Sequence, residues 1–128
     1  KPPLLVVTTP AGQHHELGAA IAAALAEDLG WRVLYLGPNL PAADIAQAAV
    51  SSAARAVALS VVYPGDDANL PRELALLRKL LPQEIDLIVG GAAAGSYAAA
   101  LDENGILVTN ALDVFAAHLT RVRMPAGH

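Results

Sequence analysis

The stretch Thr8-Thr9-Pro10-Ala11-Gly12-Gln13-His14-His15-Glu16-Leu17-Gly18 joins an apolar run, Leu4 to Val7, to an alanine- and leucine-rich helical pattern that reaches Leu29. A loop between a buried strand and a helix belongs to an α/β unit. It lies at the carboxyl edge of a parallel sheet, where open α/β folds bind their ligands. Two adjacent histidines stand in it, and Gly18 follows His15 by three residues. That grouping points to a metal or cofactor contact beneath a ligand that approaches the backbone closely.

Outward from this loop the chain alternates strand and helix five times. Leu4 to Thr8 reads as a strand buried on both faces, and Glu16 to Leu29 as a helix closed by Gly30. Trp31 to Leu36 is the second strand, stopped by Gly37-Pro38-Asn39, and Ala42 to Ala54 a helix that follows Pro41. Ala56 to Tyr63 is the third strand, in which Ser60 is the one polar residue of an apolar run. After the Pro64 to Asn69 loop, Leu74, Leu76, Leu77, Leu80 and Leu81 recur at helical spacing over Leu70 to Leu81, and Pro82 ends that helix. Ile85 to Val89 is the fourth strand and runs into Gly90-Gly91; a helix over Ala93 to Leu101, a short strand over Ile106 to Thr109 and an amphipathic helix over Leu112 to Val122 complete the series. Residues 1–123 form the domain, and Met124 to His128 read as a disordered tail.

Strict alternation implies a parallel sheet with helices on both faces and right-handed crossovers. For five strands the flavodoxin-like order 2-1-3-4-5 is expected, with its ligand crevice at the switch point between strands one and three. The Gln13/His15 loop, the loop after Ser60 and the Gly90-Gly91 turn then meet at one edge.

Composition narrows the function. A chain of 128 residues with 55% apolar side chains forms one core-rich domain, and its apolar runs are broken well before the ~18 residues of a membrane span. The absence of cysteine excludes thiolate metal sites and is compatible with a cytoplasmic setting. At a formal net charge of −4 with scattered cations, direct contact with nucleic acid is not expected of this domain. The chain starts at Lys1-Pro2-Pro3, just before the first strand and without an initiator methionine, which reads as a cut at a linker.

The ordered set Gln13-x-His15-x-x-Gly18, Ser60-x-Val62 and Gly90-Gly91 resembles the Asp-x-His-x-x-Gly, Ser-x-Leu and Gly-Gly signatures of the cobalamin-binding domain family. The resemblance covers essentially the whole chain. Gly12 to Gly18 and Gly30 to Asn39 are most similar to the cobalamin domains at the C-terminal end of MerR-type transcriptional regulators, light-sensing ones included.

The resemblance implies a cobalamin, adenosyl or methyl form undetermined, bound base-off. His15 matches the histidine that replaces the cofactor's own base as lower ligand to cobalt, a role suited to a neutral ring nitrogen. Gly18, Gly90 and Gly91 match the positions that open a slot for the displaced nucleotide tail, and Ser60, followed by Val62, matches the hydroxyl that bonds the buried base. Gln13 departs from the pattern, since the family has an aspartate there that orients the histidine and raises its basicity. The resemblance further implies an upstream helical bundle and DNA-binding domain, and leaves a homo-oligomer open.

Plainer readings stand beside these. His14 and His15 are also readable as an exposed pair in a polar loop, Ser60 as a satisfied core hydroxyl, and Gly90-Gly91 as a tight turn. Trp31, Tyr35 and Tyr97 read as packing residues, His118 as a surface residue, and Glu16, Asp66 and Asp67 as solvated. Three functional classes follow: the sensory module of a transcriptional regulator, a corrinoid-carrying component of a methyltransferase or mutase, and a degenerate fold without cofactor. No acid, base or substrate pocket independent of a cofactor is apparent in the chain, so it is not expected to be an enzyme in its own right.

Overall fold

Every residue of Leu4–Thr8 is buried, because strands flank it on both sides and helices cover both faces. A computed structural model describes residues 2–62, 67–102 and 104–123. In it β1 (Leu4–Thr8), β2 (Arg32–Tyr35), β3 (Ala56–Ser60), β4 (Asp86–Gly90) and β5 (Leu107–Val108) form one sheet of order β2-β1-β3-β4-β5. All four pairings are parallel. This is the flavodoxin-like arrangement the alternation predicts, with β1 and β3 adjacent at the switch point.

Side chains alternate across the sheet with the period of two of extended chain. Leu4, Val6, Val57, Leu59, Leu87 and Val89 enter the core beneath α2 (Ala42–Ser51) and α3 (Leu70–Leu80). Leu5, Val7, Ala56, Ala58 and Ile88 face the opposite layer, built by α1 (Leu17–Asp28) and α5 (Leu112–Val122) with Trp31, Phe115 and Leu119. That second layer is lined by alanine on both sheet and helix. Its helices therefore come close to the strands, and the space left between them has room only where no side chain fills it.

Beyond shifts of one residue at element ends, the elements differ from the sequence reading at three places. The third strand ends at Ser60, before the expected Tyr63. Val61 stays buried by donating its N–H to Gly90 O and accepting from Ala93 N–H, both at the strand-to-helix turn, so its apolarity reports burial in a loop. The second helix stops at Ser51, because Ala53 takes a left-handed conformation (φ 55°) and Ala54 N–H returns to Ala49 O. The helix expected over 93–101 begins as a 3₁₀ turn at Ala94–Tyr97 and becomes α4 (Ala98–Asp102). The expected disordered tail at 124–128 and the loop residues 63–66 lie outside the described residues. No described helix is long and apolar enough to cross a membrane.

Candidate functional site

The loop after β1 is held by a polar network that the sequence hides among small side chains. Thr8 Oγ1 donates to Gly37 O at 2.6 Å, tying the end of β1 to the loop after β2. Thr9 Oγ1 donates to Gln13 O at 2.5 Å and accepts Asn39 N–H at 2.7 Å. Asn39, itself left-handed at φ 63°, accepts Gly12 N–H through Oδ1 at 2.9 Å. On the other side Gln13, 1% exposed, accepts Val62 N–H through Oε1 at 2.8 Å. Since that partner is a donor, it fixes which end of the amide is the oxygen. Thr8 and Thr9 are buried as well, so these bonds tie the loop after β1 to the loop after β2 inside the molecule.

His14 and His15 emerge exposed from this frame. Immediately after them, Glu16 accepts the Tyr35 hydroxyl at 2.5 Å and fastens the start of α1 to the edge strand. Desolvation, then the hydrogen bond to Glu16 and its negative charge, push the Tyr35 phenol up to about 12. His15 thus projects at the carboxyl edge between two anchors, the Gln13–Val62 bond and the Glu16–Tyr35 pair. Among the described residues no three His, Asp or Glu side chains gather to hold a bare ion. A metal carried by a cofactor requires one ring nitrogen from the protein, and His15 is the candidate for it.

Beside the loop a groove of about 190 Å³ runs between the sheet and the α1/α5 layer. Its walls are overwhelmingly apolar, with Val7, Ala58 and Ile88 from the strands, Ala19 and Ala22 from α1, and Phe115 from α5. Gly18, Ser60, Gly90 and Gly91 all line it. Ser60 is 6% exposed, and its Oγ has no hydrogen-bond partner among the described residues. An unpaired buried hydroxyl costs on the order of 1–3 kcal/mol, so its presence on an apolar wall makes Ser60 a candidate ligand contact. A Cβ on Gly18 would stand 2.7 Å from that oxygen, so the bare backbone keeps the hydroxyl open to the groove. Gly90, paired in register with Ser60, has Thr109 O 3.0 Å from where its Cβ would be. Gly91 has φ +105° and Val61 O only 2.5 Å from that point, so it also makes the turn itself possible.

Six of the seven residues singled out from the sequence therefore come together: Gly18, Ser60, Gly90 and Gly91 in one groove, with Gln13 bonded to half-buried Val62 beside it. His15 stands at the edge and is not part of the groove wall. The contribution of α5 was not anticipated, nor was the alanine floor; alanine at alternate strand positions was the available signal. His118 corrects the surface reading. Its side chain is 14% exposed, its Nε2 lies 2.5 Å from Asp86 Oδ2, and Arg121 donates to its Nδ1 at 3.0 Å. The cluster fastens α5 to the start of β4, at the end of the sheet away from His15.

An orphaned hydroxyl, a bare glycine cradle and an apolar groove next to an exposed imidazole fit a corrinoid with a displaced tail, and comparison with known proteins identifies the family. The model of the B12 binding domain matches residues 3–117. The HTH-type transcriptional repressor CarH of Myxococcus xanthus is 34% identical over 96 residues, covering 75% of this chain and 32% of its own length. The repressor CarA of the same organism is 31% identical over 126 residues, 94% of this chain and 42% of its own. The chain thus spans well under half the length of these relatives. A cobalamin-binding protein from Desulfitobacterium hafniense superposes with TM-score 0.80 at 19% identity, over 95% of this chain and 60% of that one. With nine tenths of its length matched by the family model, the chain belongs to the B12 binding domain family, and its cofactor is a cobalamin.

Proposed function

We propose that the chain binds cobalamin with the cofactor's nucleotide base displaced from cobalt, His15 supplying the lower axial nitrogen and the groove receiving the tail. The observation that carries this reading is the unpaired Ser60 hydroxyl facing an apolar groove across Gly18. When bound, the cofactor supplies its cobalt chemistry. The chain's own residues bind and orient: Ser60 O–H donates to an acceptor on the buried base, Gly18, Gly90 and Gly91 keep the groove clear, and Gln13 and Glu16 hold the loop from which His15 projects. A preformed apolar groove binds without ordering flexible chain, and affinity then rests chiefly on the tail.

We further propose that the chain serves as the ligand-sensing part of a cytoplasmic transcriptional regulator. The support is the identity to two HTH-type repressors, together with a charge distribution that gives this domain no footprint for DNA. DNA binding then belongs to other parts of such a regulator, and corrinoid binding acts on how those parts or subunits associate.

Titration with hydroxocobalamin followed by visible absorbance tests the binding mode. The wild-type chain is expected to give the spectrum of a base-off cobalamin with an imidazole nitrogen on cobalt. His15→Ala is expected to lose the axial nitrogen signature while corrinoid remains bound. An identical spectrum in His15→Ala removes His15 as the ligand.

A further inference from the structure

We infer that the groove selects the base of the corrinoid tail, accepting an apolar benzimidazole and disfavouring a purine. This rests on the corrinoid reading above and names what that site takes. The floor of the groove is Val7, Ala58 and Ile88, with Ala19 and Phe115 above it, all apolar and all buried. The backbone groups of that floor are consumed by the β1–β3 and β3–β4 ladders; on the helix side, Gly18 and Ala19 lie in the first turn of α1, where backbone N–H groups have no carbonyl of their own helix to bond and can only donate. Two further polar side chains line the groove. Thr109 Oγ1 already accepts Ala111 N–H at 3.1 Å, and Asn110 is exposed at the mouth. At depth one polar side-chain atom is uncommitted, Ser60 Oγ.

A benzimidazole joined to its ribose through one ring nitrogen has one acceptor left, and Ser60 O–H matches it. Adenine keeps that acceptor and adds two ring nitrogens and an exocyclic amine. Buried against Ala58, Ile88 and Phe115, these groups lose their water, and the donating amine finds no acceptor on the apolar walls. Discrimination is steep where an apolar site leaves polar groups of the wrong ligand unpaired.

The test is equilibrium titration of the full chain with three probes: cobalamin, the adenine-based cobamide, and cobinamide, which lacks the nucleotide tail. The adenine form is expected to bind at least about tenfold more weakly than cobalamin, the factor that one poorly paired buried group supplies. Cobinamide is expected to be weaker than cobalamin as well. Ala58→Ser places a second hydroxyl on the same strand face, two residues before Ser60, and should narrow the gap by tightening the adenine form. Equal binding of cobalamin and the adenine form, with cobinamide weaker, overturns the selection and leaves the corrinoid reading standing. Equal binding of all three shows that the groove takes no tail and overturns the inference. Failure of every probe to bind removes the corrinoid reading and the inference together.

Discussion

A methyl group on Gly18 would stand 2.7 Å from Ser60 Oγ, and that contact separates folding from binding. The atom it meets is the rotatable end of a small side chain, so the fold can yield at little cost, and alanine in a helix gains up to about 1 kcal/mol over glycine. Gly18→Ala is therefore expected to melt at the same temperature as wild type or slightly higher. Its affinity for cobalamin is expected to fall by about tenfold or more, since the hydroxyl is displaced and the groove narrowed. Parallel loss of stability and affinity would show that Gly18 serves the fold alone. Gly91 is the opposite case, because its positive φ and the Val61 carbonyl bar any side chain whatever is bound. Gln13 departs from the aspartate of the family pattern, and its oxygen reaches Val62 N–H across the crevice. The sequence named the residue but not that partner, because a loop sequence does not fix where a side chain points.

Among the elements, two helix ends of the same geometry differ in how readable they are. After α1, Gly30 at φ 92° receives the chain, with its N–H on Glu27 O and Trp31 N–H on Ala26 O. After α2 the same closure is made by Ala53 at φ 55°, and no glycine announces it; the run of alanines reads as helix for three residues too long. A left-handed alanine carries a steric penalty of roughly 1 kcal/mol, partly offset because alanine restricts the unfolded chain. Ala53→Gly should accordingly raise stability by a few tenths to about 1 kcal/mol in urea unfolding; a loss instead would mean that the methyl group packs. The start of α1 carries a pH signature. The Tyr35 phenol is pushed up from 10.0 to about 12, so the neutral form is the one the folded state favours. Stability from this pair is fully present below pH 10 and is lost as pH rises through about 12. Ultraviolet titration of the phenolate is expected to show Tyr35 ionising above the ordinary tyrosine range, and Glu16→Gln to bring it back down. A Tyr35 that ionises near 10 in the wild-type chain would contradict the pairing.

For the molecule as a whole, strand order and switch point were legible because strict alternation of apolar runs and helical patterns leaves few topologies. The groove was legible only on the side that Gly18, Ser60 and Gly90-Gly91 define. Its other wall comes from α5, more than fifty residues from Ser60 in the chain, and tertiary packing of that kind has no local signal. The same holds for the His118–Asp86 contact, which joins α5 to the far end of β4. The sheet thus carries a polar clamp at one end and the histidine loop at the other, and Gly18, three residues after His15, lines the groove. The central claim is that this geometry displaces the cofactor's base and puts His15 in its place. Electron paramagnetic resonance of bound cob(II)alamin, in protein carrying ¹⁵N only in its histidines, tests it most directly. With His15 on cobalt the spectrum shows the two-line superhyperfine splitting of an axial ¹⁵N; the three-line ¹⁴N pattern of the cofactor's own base would contradict that placement.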